Sequence, residues 1–116
     1  MQQSSRTILI VDDSSDDQEI YRRYLLGDRE YAYTFLKASL GQQGLDLWQQ
    51  HQPDVVLLDY YLPDLDGLNV LAQLQSLAQQ TCLPVIMITG QGNEAIALQA
   101  IRAGAQDYLV KGAMTA

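Results

Sequence analysis

Four short apolar runs punctuate the chain: Thr7–Val11, Val55–Leu58, Val85–Thr89 and Tyr108–Val110. Each is nearly uninterrupted and rich in β-branched side chains. This is the pattern of strands buried on both faces of a parallel sheet. Tyr33–Ala38 is more mixed and reads as a fifth strand at a sheet edge. Between the runs the period changes to that of helices. Ser14 or Ser15 can cap a helix whose first turns hold Asp16, Asp17 and Glu19, where negative charge suits the helix dipole. Ile20, Tyr21, Tyr24 and Leu25 then recur at helical spacing, and Gly27 ends the segment. Gln42–Gln50 carries Leu45 and Trp48 and is followed by Pro53, and Gly67–Leu77 places Leu68, Leu71 and Leu74 on one stripe. Asn93 can cap a fourth helix that turns Ile96, Ala97, Ala100 and Ile101 inward and stops at Gly104. Strands alternating with helices imply βαβ units and, through right-handed crossovers, an α/β fold with an open, doubly wound parallel sheet.

The composition agrees with one globular domain over residues 1–116, with 47% hydrophobic and 18% charged residues. A net charge of −7 disfavours direct contact with nucleic acid and lacks the polybasic patch of a membrane-surface protein. Cys82 is the single cysteine, so an internal disulfide or a cysteine metal cluster cannot form. The polar start, Met1 to Arg6, is unlike a signal peptide, and no run approaches the ~18 apolar residues of a membrane span. The expectation is a cytoplasmic domain.

In this architecture ligands gather outside the carboxyl ends of the strands. Asp12 and Asp13 follow the first apolar run, Asp59 follows Val55–Leu58, Thr89 ends Val85–Thr89 and is followed by Gly90, and Lys111 follows the last. Singly, each has an ordinary explanation: a helix cap, a strand end, a solvated lysine. A charge placed directly after a fully apolar run is costly without a purpose, and the set together points to one site. Three converging carboxylates repel, so they either take up a proton or bind a cation. Their hard oxygens suit Mg²⁺. Lys111, one of two lysines in the chain, adds a second positive charge, and Thr89 a hydroxyl donor. A carboxylate in such a place can act as a nucleophile and form an aspartyl phosphate.

Taken together, Asp12–Asp13, the DYYLPDLDG segment from Asp59 to Gly67, Ile88–Gly90 and the DYLVKG segment from Asp107 to Gly112 resemble the receiver domains of two-component response regulators over essentially the whole chain. The resemblance implies a flavodoxin-like strand order, 2-1-3-4-5. It implies Asp59 as phosphoacceptor, with Mg²⁺ held by Asp12, Asp13, Asp59 and the backbone carbonyl of Tyr61. Thr89 and Lys111 match the residues that sense the phosphoryl group, and Tyr108 matches the aromatic switch. The implied partner is a histidine kinase or phosphotransfer protein within a phosphorelay, and the parent resembles a larger sensor kinase. The implied role is regulatory rather than enzymatic, with slow self-dephosphorylation. Lys111–Gly112 stands where the family usually has Lys-Pro, which leaves the isomer of that peptide bond open.

Other readings fit less well. A flavin mononucleotide binder would meet two aspartates where it needs phosphate donors. A hydrolase of the haloacid dehalogenase type needs a second acid two residues after its nucleophile, where this chain has Tyr61. A calcium loop centred on Gly67 would put Leu62 and Gln73 at positions that need carboxylates. Gly90-Gln91-Gly92 lacks the Lys-Ser/Thr of a P-loop. Asp64 and Asp66 read as residues that shape the loop and cap the helix at Gly67. His51 reads as an exposed helix end, Trp48 as core and Cys82 as a structural thiol. The chain ends six residues after Val110, too few for the fifth helix usual in this family. The expected consequence is an uncovered sheet face, buried by a homodimer or by an exchange of elements between chains; the runner-up, compatible with it, is a longer natural protein that continues into that helix.

Overall fold

The computed structural model describes residues 4–27, 29, 31–79, 83–90 and 94–111. In chain order the elements are β1 (Ser4–Val11), α1 (Ser15–Leu26), β2 (Tyr31–Ala38), α2 (Gly41–His51), β3 (Val55–Asp59), α3 (Gly67–Ala78), β4 (Leu83–Thr89), α4 (Glu94–Arg102) and β5 (Ala105–Val110). The strands form one parallel sheet in the order β2-β1-β3-β4-β5. The mixed segment is therefore the edge strand that its composition indicates. The central strands β1 and β3 end in four consecutive buried residues each, as continuous apolar runs require. β5 begins at Ala105, three residues before its apolar run. Gln106 and Asp107 are exposed there, as an edge strand permits.

Alternating strand residues feed two cores. Leu9, Val11, Val56, Leu58, Val85 and Met87 pack with Leu45 of α2, Val70, Leu71 and Leu74 of α3, and Ala100 of α4. On the other face Ile8, Ile10, Leu57 and Ile88 pack with Tyr21 of α1. Trp48 is half-buried against the first core, and His51 is exposed. Three positions depart from the helical pattern. Ile20 and Tyr24 on α1 and Ile101 on α4, which the pattern turns inward, are exposed. On α1 the inward positions next to Tyr21 include Gln18 instead, which donates to the Asp12 carbonyl.

Helix ends are held by specific contacts. Ser14 caps α1 by accepting from the Asp17 N–H, and Asp66 caps α3 by accepting from the Asn69 N–H at 2.7 Å. Asp64 works on a different helix from the one expected. Its carboxylate accepts from the N–H groups of Gly41 and Gln42 and caps α2, whose N-cap residue Leu40 has no side-chain oxygen to offer. α2 and α3 both end through a left-handed glutamine, Gln52 and Gln79. Cys82, Asn93 and Gly112 lie outside the described residues.

Among the described residues, only α1 covers the Ile8–Leu57 face. Beside it a groove of about 270 Å³ remains open, lined by Arg6, Ile8, Leu25, Tyr33, Leu57 and Ile86 among others. Tyr31, Tyr33 and Phe35 form a row of tilted rings along β2, and Arg6 lies 4.5 Å from the centre of the Tyr31 ring.

One close approach ties α3 to the acidic end of the sheet. A β-carbon on Gly67 would lie 2.8 Å from the Asp59 carbonyl oxygen and the Tyr60 α-carbon, and 2.9 Å from the Met87 sulfur. Two of these neighbours are backbone atoms that cannot move aside locally. Gly67→Ala is expected to destabilise the protein by about 1–3 kcal/mol through overpacking, read as a lower urea midpoint at unchanged slope.

Candidate functional site

Strand register assembles the site. Val11, Leu58, Met87 and Tyr108 form one row across β1, β3, β4 and β5. One residue further on, Asp12 and Asp59 emerge from the two central strands, and Asp59 pairs with Ile88. In the next row Thr89 pairs with Val110, so Lys111 leaves β5 just beyond Thr89. Four elements far apart in sequence thus deliver two acids, a hydroxyl and a lysine to one end of the sheet.

Asp12 is almost completely buried and its carboxylate is fully engaged. One oxygen accepts from the Ser14 N–H at 2.9 Å. The other accepts from the Tyr21 hydroxyl at 2.9 Å and faces the Lys111 ammonium at 3.2 Å. Asp59 is 5% exposed, with Lys111 Nζ 3.3 Å from Oδ2 and the Tyr61 N–H 3.4 Å from Oδ1. Asp13 is exposed, and one carboxylate oxygen from each of Asp12, Asp13 and Asp59 lies within 4.8 Å of the others. Lys111 makes a third contact, at 2.8 Å, to Asp17 in the first turn of α1.

The electrostatics follow from this crowding. Burial, reinforced by the charge of Asp12, pushes the Asp59 carboxyl up to about 6 despite the opposing pull of Lys111. Burial alone would lower the Lys111 ammonium. The hydrogen bond to Asp17 and the charges of Asp12 and Asp59 outweigh it and hold the group above its usual value. Burial and then Asp12 likewise raise the Tyr21 phenol, which stays a hydrogen-bond donor at neutral pH.

The remaining sequence-derived positions fall around this core. Thr89 is fully buried at the end of β4. Tyr108 is half-buried on β5 against the first core. Tyr61 follows the acid by two residues, its ring 57% exposed and edge-on to Tyr60 at 4.6 Å. Gly90 sits beside Lys111, whose δ-carbon would be 3.9 Å from an added β-carbon. Sequence reasoning does not single out Asp17, Gln18 or Tyr21 as site residues. Their available signal is a helical one: Asp17 and Tyr21 are four residues apart, so one face of α1 presents both to the acids. The three hard-oxygen donors fit a small divalent cation, because they are close, anionic and in part reachable from solvent through Asp13.

An acid whose folded-state pKa lies above its ordinary value costs stability as it ionises. The cost is absent below about pH 4 and grows as pH rises through 6. In chelator, Asp59→Asn is expected to stabilise the protein at pH 8 by about 2–3 kcal/mol, with the difference vanishing near pH 4. Denaturation at the two pH values measures it.

Comparison with known proteins places this arrangement. The chain is 38% identical to the protein PilH of Pseudomonas aeruginosa over 104 residues, covering 90% of this chain and 84% of that protein. It also matches transcriptional regulators at 35–36% identity, of which it spans only about two fifths of the length. Among solved structures, a putative response regulator from Chloroflexus aurantiacus superposes with a TM-score of 0.83 at 30% identity, over 94% of this chain and 87% of that one. The Mn²⁺-bound form of response regulator Rcp1 superposes with a TM-score of 0.79 at 25% identity, over 90% and 80%. A model of the response regulator receiver domain matches residues 8–115, nearly the whole described sheet and its helices, and the chain belongs to that family.

Proposed function

We propose that this domain is a phosphoacceptor in a two-component phosphorelay, with Asp59 taking a phosphoryl group from a phosphohistidine of a kinase or phosphotransfer protein. The observation that carries the reading is a buried carboxylate at a strand end, 3.3 Å from a lysine and beside Asp12. Asp59 is largely ionised at neutral pH and poorly solvated, which favours nucleophilic attack. Its oxygen bonds to phosphorus as the phosphorus–nitrogen bond breaks and the electron pair returns to the imidazole. Lys111 offsets charge on the phosphoryl oxygens. Asp12, Asp13, Asp59 and the Tyr61 carbonyl would hold Mg²⁺, which when bound supplies positive charge against the crowded acids and the phosphoryl group.

Thr89 then offers its hydroxyl to a phosphoryl oxygen, and Tyr108, half-buried one strand away, moves with it. Both belong to strands beside α4, where Leu98 and Ile101 are about half exposed. That face is the site of altered partner contacts, its arrangement biased by phosphorylation. The domain is regulatory: hydrolysis of the acyl phosphate is slow, because Tyr61 stands where an efficient phosphatase needs an acid. Incubation with a small phosphodonor is expected to label the wild type in Mg²⁺, but not in chelator, and not to label Asp59→Asn. Equal labelling of Asp59→Asn overturns the assignment.

The open apolar groove beside α1 favours one addition, a second copy of the chain as its cover. Light scattering is expected to give the mass of a dimer at high concentration, and a monodisperse monomer overturns it.

A further inference from the structure

The shortest contact of Lys111 is not to either buried acid at the strand ends. It is to Asp17 Oδ2 at 2.8 Å, against 3.2 Å to Asp12 and 3.3 Å to Asp59. An ammonium has three N–H donors, and three carboxylates surround this one. Its donors are therefore matched by acceptors before any phosphoryl group arrives. Asp17 is itself well placed. It lies in the first turn of α1, where the helix dipole favours a carboxylate, and its N–H is tied to the Ser14 cap. One turn later Tyr21 fixes Asp12. The face of α1 thus grips both members of the Lys111–Asp12 pair.

A phosphoryl group on Asp59 brings additional oxygens and additional negative charge. It can engage Lys111 only in competition with the carboxylates already there. Asp12 and Asp59 are the site's own acids, whereas Asp17 reaches in from the helix. We infer that Asp17 is a positioning residue that holds Lys111 toward α1 and competes with the phosphoryl group for its ammonium. The inference rests on Asp59 being the phosphoacceptor.

Asp17 acts in opposite directions on the two ligands. Its charge adds to the field that attracts a divalent cation, and its 2.8 Å contact shares the Lys111 ammonium, leaving Asp12 and Asp59 at the longer 3.2 and 3.3 Å. Against a phosphoryl group the same charge repels, and the same contact withholds the lysine. Removing it should weaken cation binding and strengthen phosphoryl binding.

The experiment is calorimetry on the whole chain with two probes: Mg²⁺ alone, and beryllofluoride at saturating Mg²⁺ as a phosphoryl mimic. Asp17→Asn is expected to bind Mg²⁺ more weakly and beryllofluoride more tightly, each by roughly two- to fivefold, the scale of a partly exposed ion pair. Asp17→Glu, which keeps the charge, should return both toward wild type. Asp16→Asn removes an equal charge from the same turn and should leave beryllofluoride affinity unchanged. Local distortion weakens both ligands, so an Asp17→Asn protein that binds beryllofluoride no tighter than wild type overturns the inference while the Asp59 reading stands. Wild type that binds no beryllofluoride in Mg²⁺ overturns both.

Discussion

The ammonium of Lys111 facing three carboxylates is the interaction on which the rest of this structure turns. Two acids at the ends of adjacent buried strands cannot share so small a space without a counter-charge. Lys111 supplies part of it. The balance stays negative, with Asp13 beside the pair, so the site retains an unmet demand for positive charge. That demand appears in Asp59 itself, whose carboxyl is pushed up to about 6 even with the lysine 3.3 Å away. The sheet makes the arrangement tolerable by holding the acids where their other oxygens have partners, the Ser14 N–H for Asp12 and the Tyr61 N–H for Asp59, while the Tyr21 hydroxyl shares with Lys111 the remaining Asp12 oxygen.

Much of this is legible in the sequence, because in a parallel sheet the end of an apolar run is also the end of a strand. Asp12, Asp59 and Lys111 each follow such a run and Thr89 ends one, and register aligns them with few surprises. The edge strand is legible from its mixed composition. What escapes is set by helices and loops. Tyr21 looks like any core aromatic, and its hydroxyl meets Asp12 only through the packing of α1 against the end of β1. Asp17 looks like a first-turn dipole residue, which it also is. Proximity in sequence assigns Asp64 to α3, while its carboxylate lies at α2, because Leu40 leaves that helix without a cap. The inward set that periodicity draws on α4 is one residue too wide. A nine-residue helix over an edge strand buries a narrower stripe than one over the middle of the sheet.

The close packing near Asp59 has the same origin. Gly67 opens α3 against the backbone of Asp59 and Tyr60, so the acid's own strand end has no room to shift toward that helix. Gly44 does the same for α2, where an added β-carbon would lie 2.8 Å from a Val11 methyl, one residue before Asp12. Each of the two acids is seated beside a close helix–strand approach made at a glycine.

The cap that Asp64 provides reaches beyond α2. It fastens the loop after Asp59 to the start of α2, and with the glycine contacts it braces the β1–β3 half against α2 and α3. The β4–β5 half meets the same end of the sheet through strand pairing, the Tyr60 N–H on the Ile88 carbonyl and the lysine side chain. Asp59 closes the strand that is hydrogen-bonded to β1 on one side and to β4 on the other. It stands as a keystone does, bearing on both arms of an arch at once.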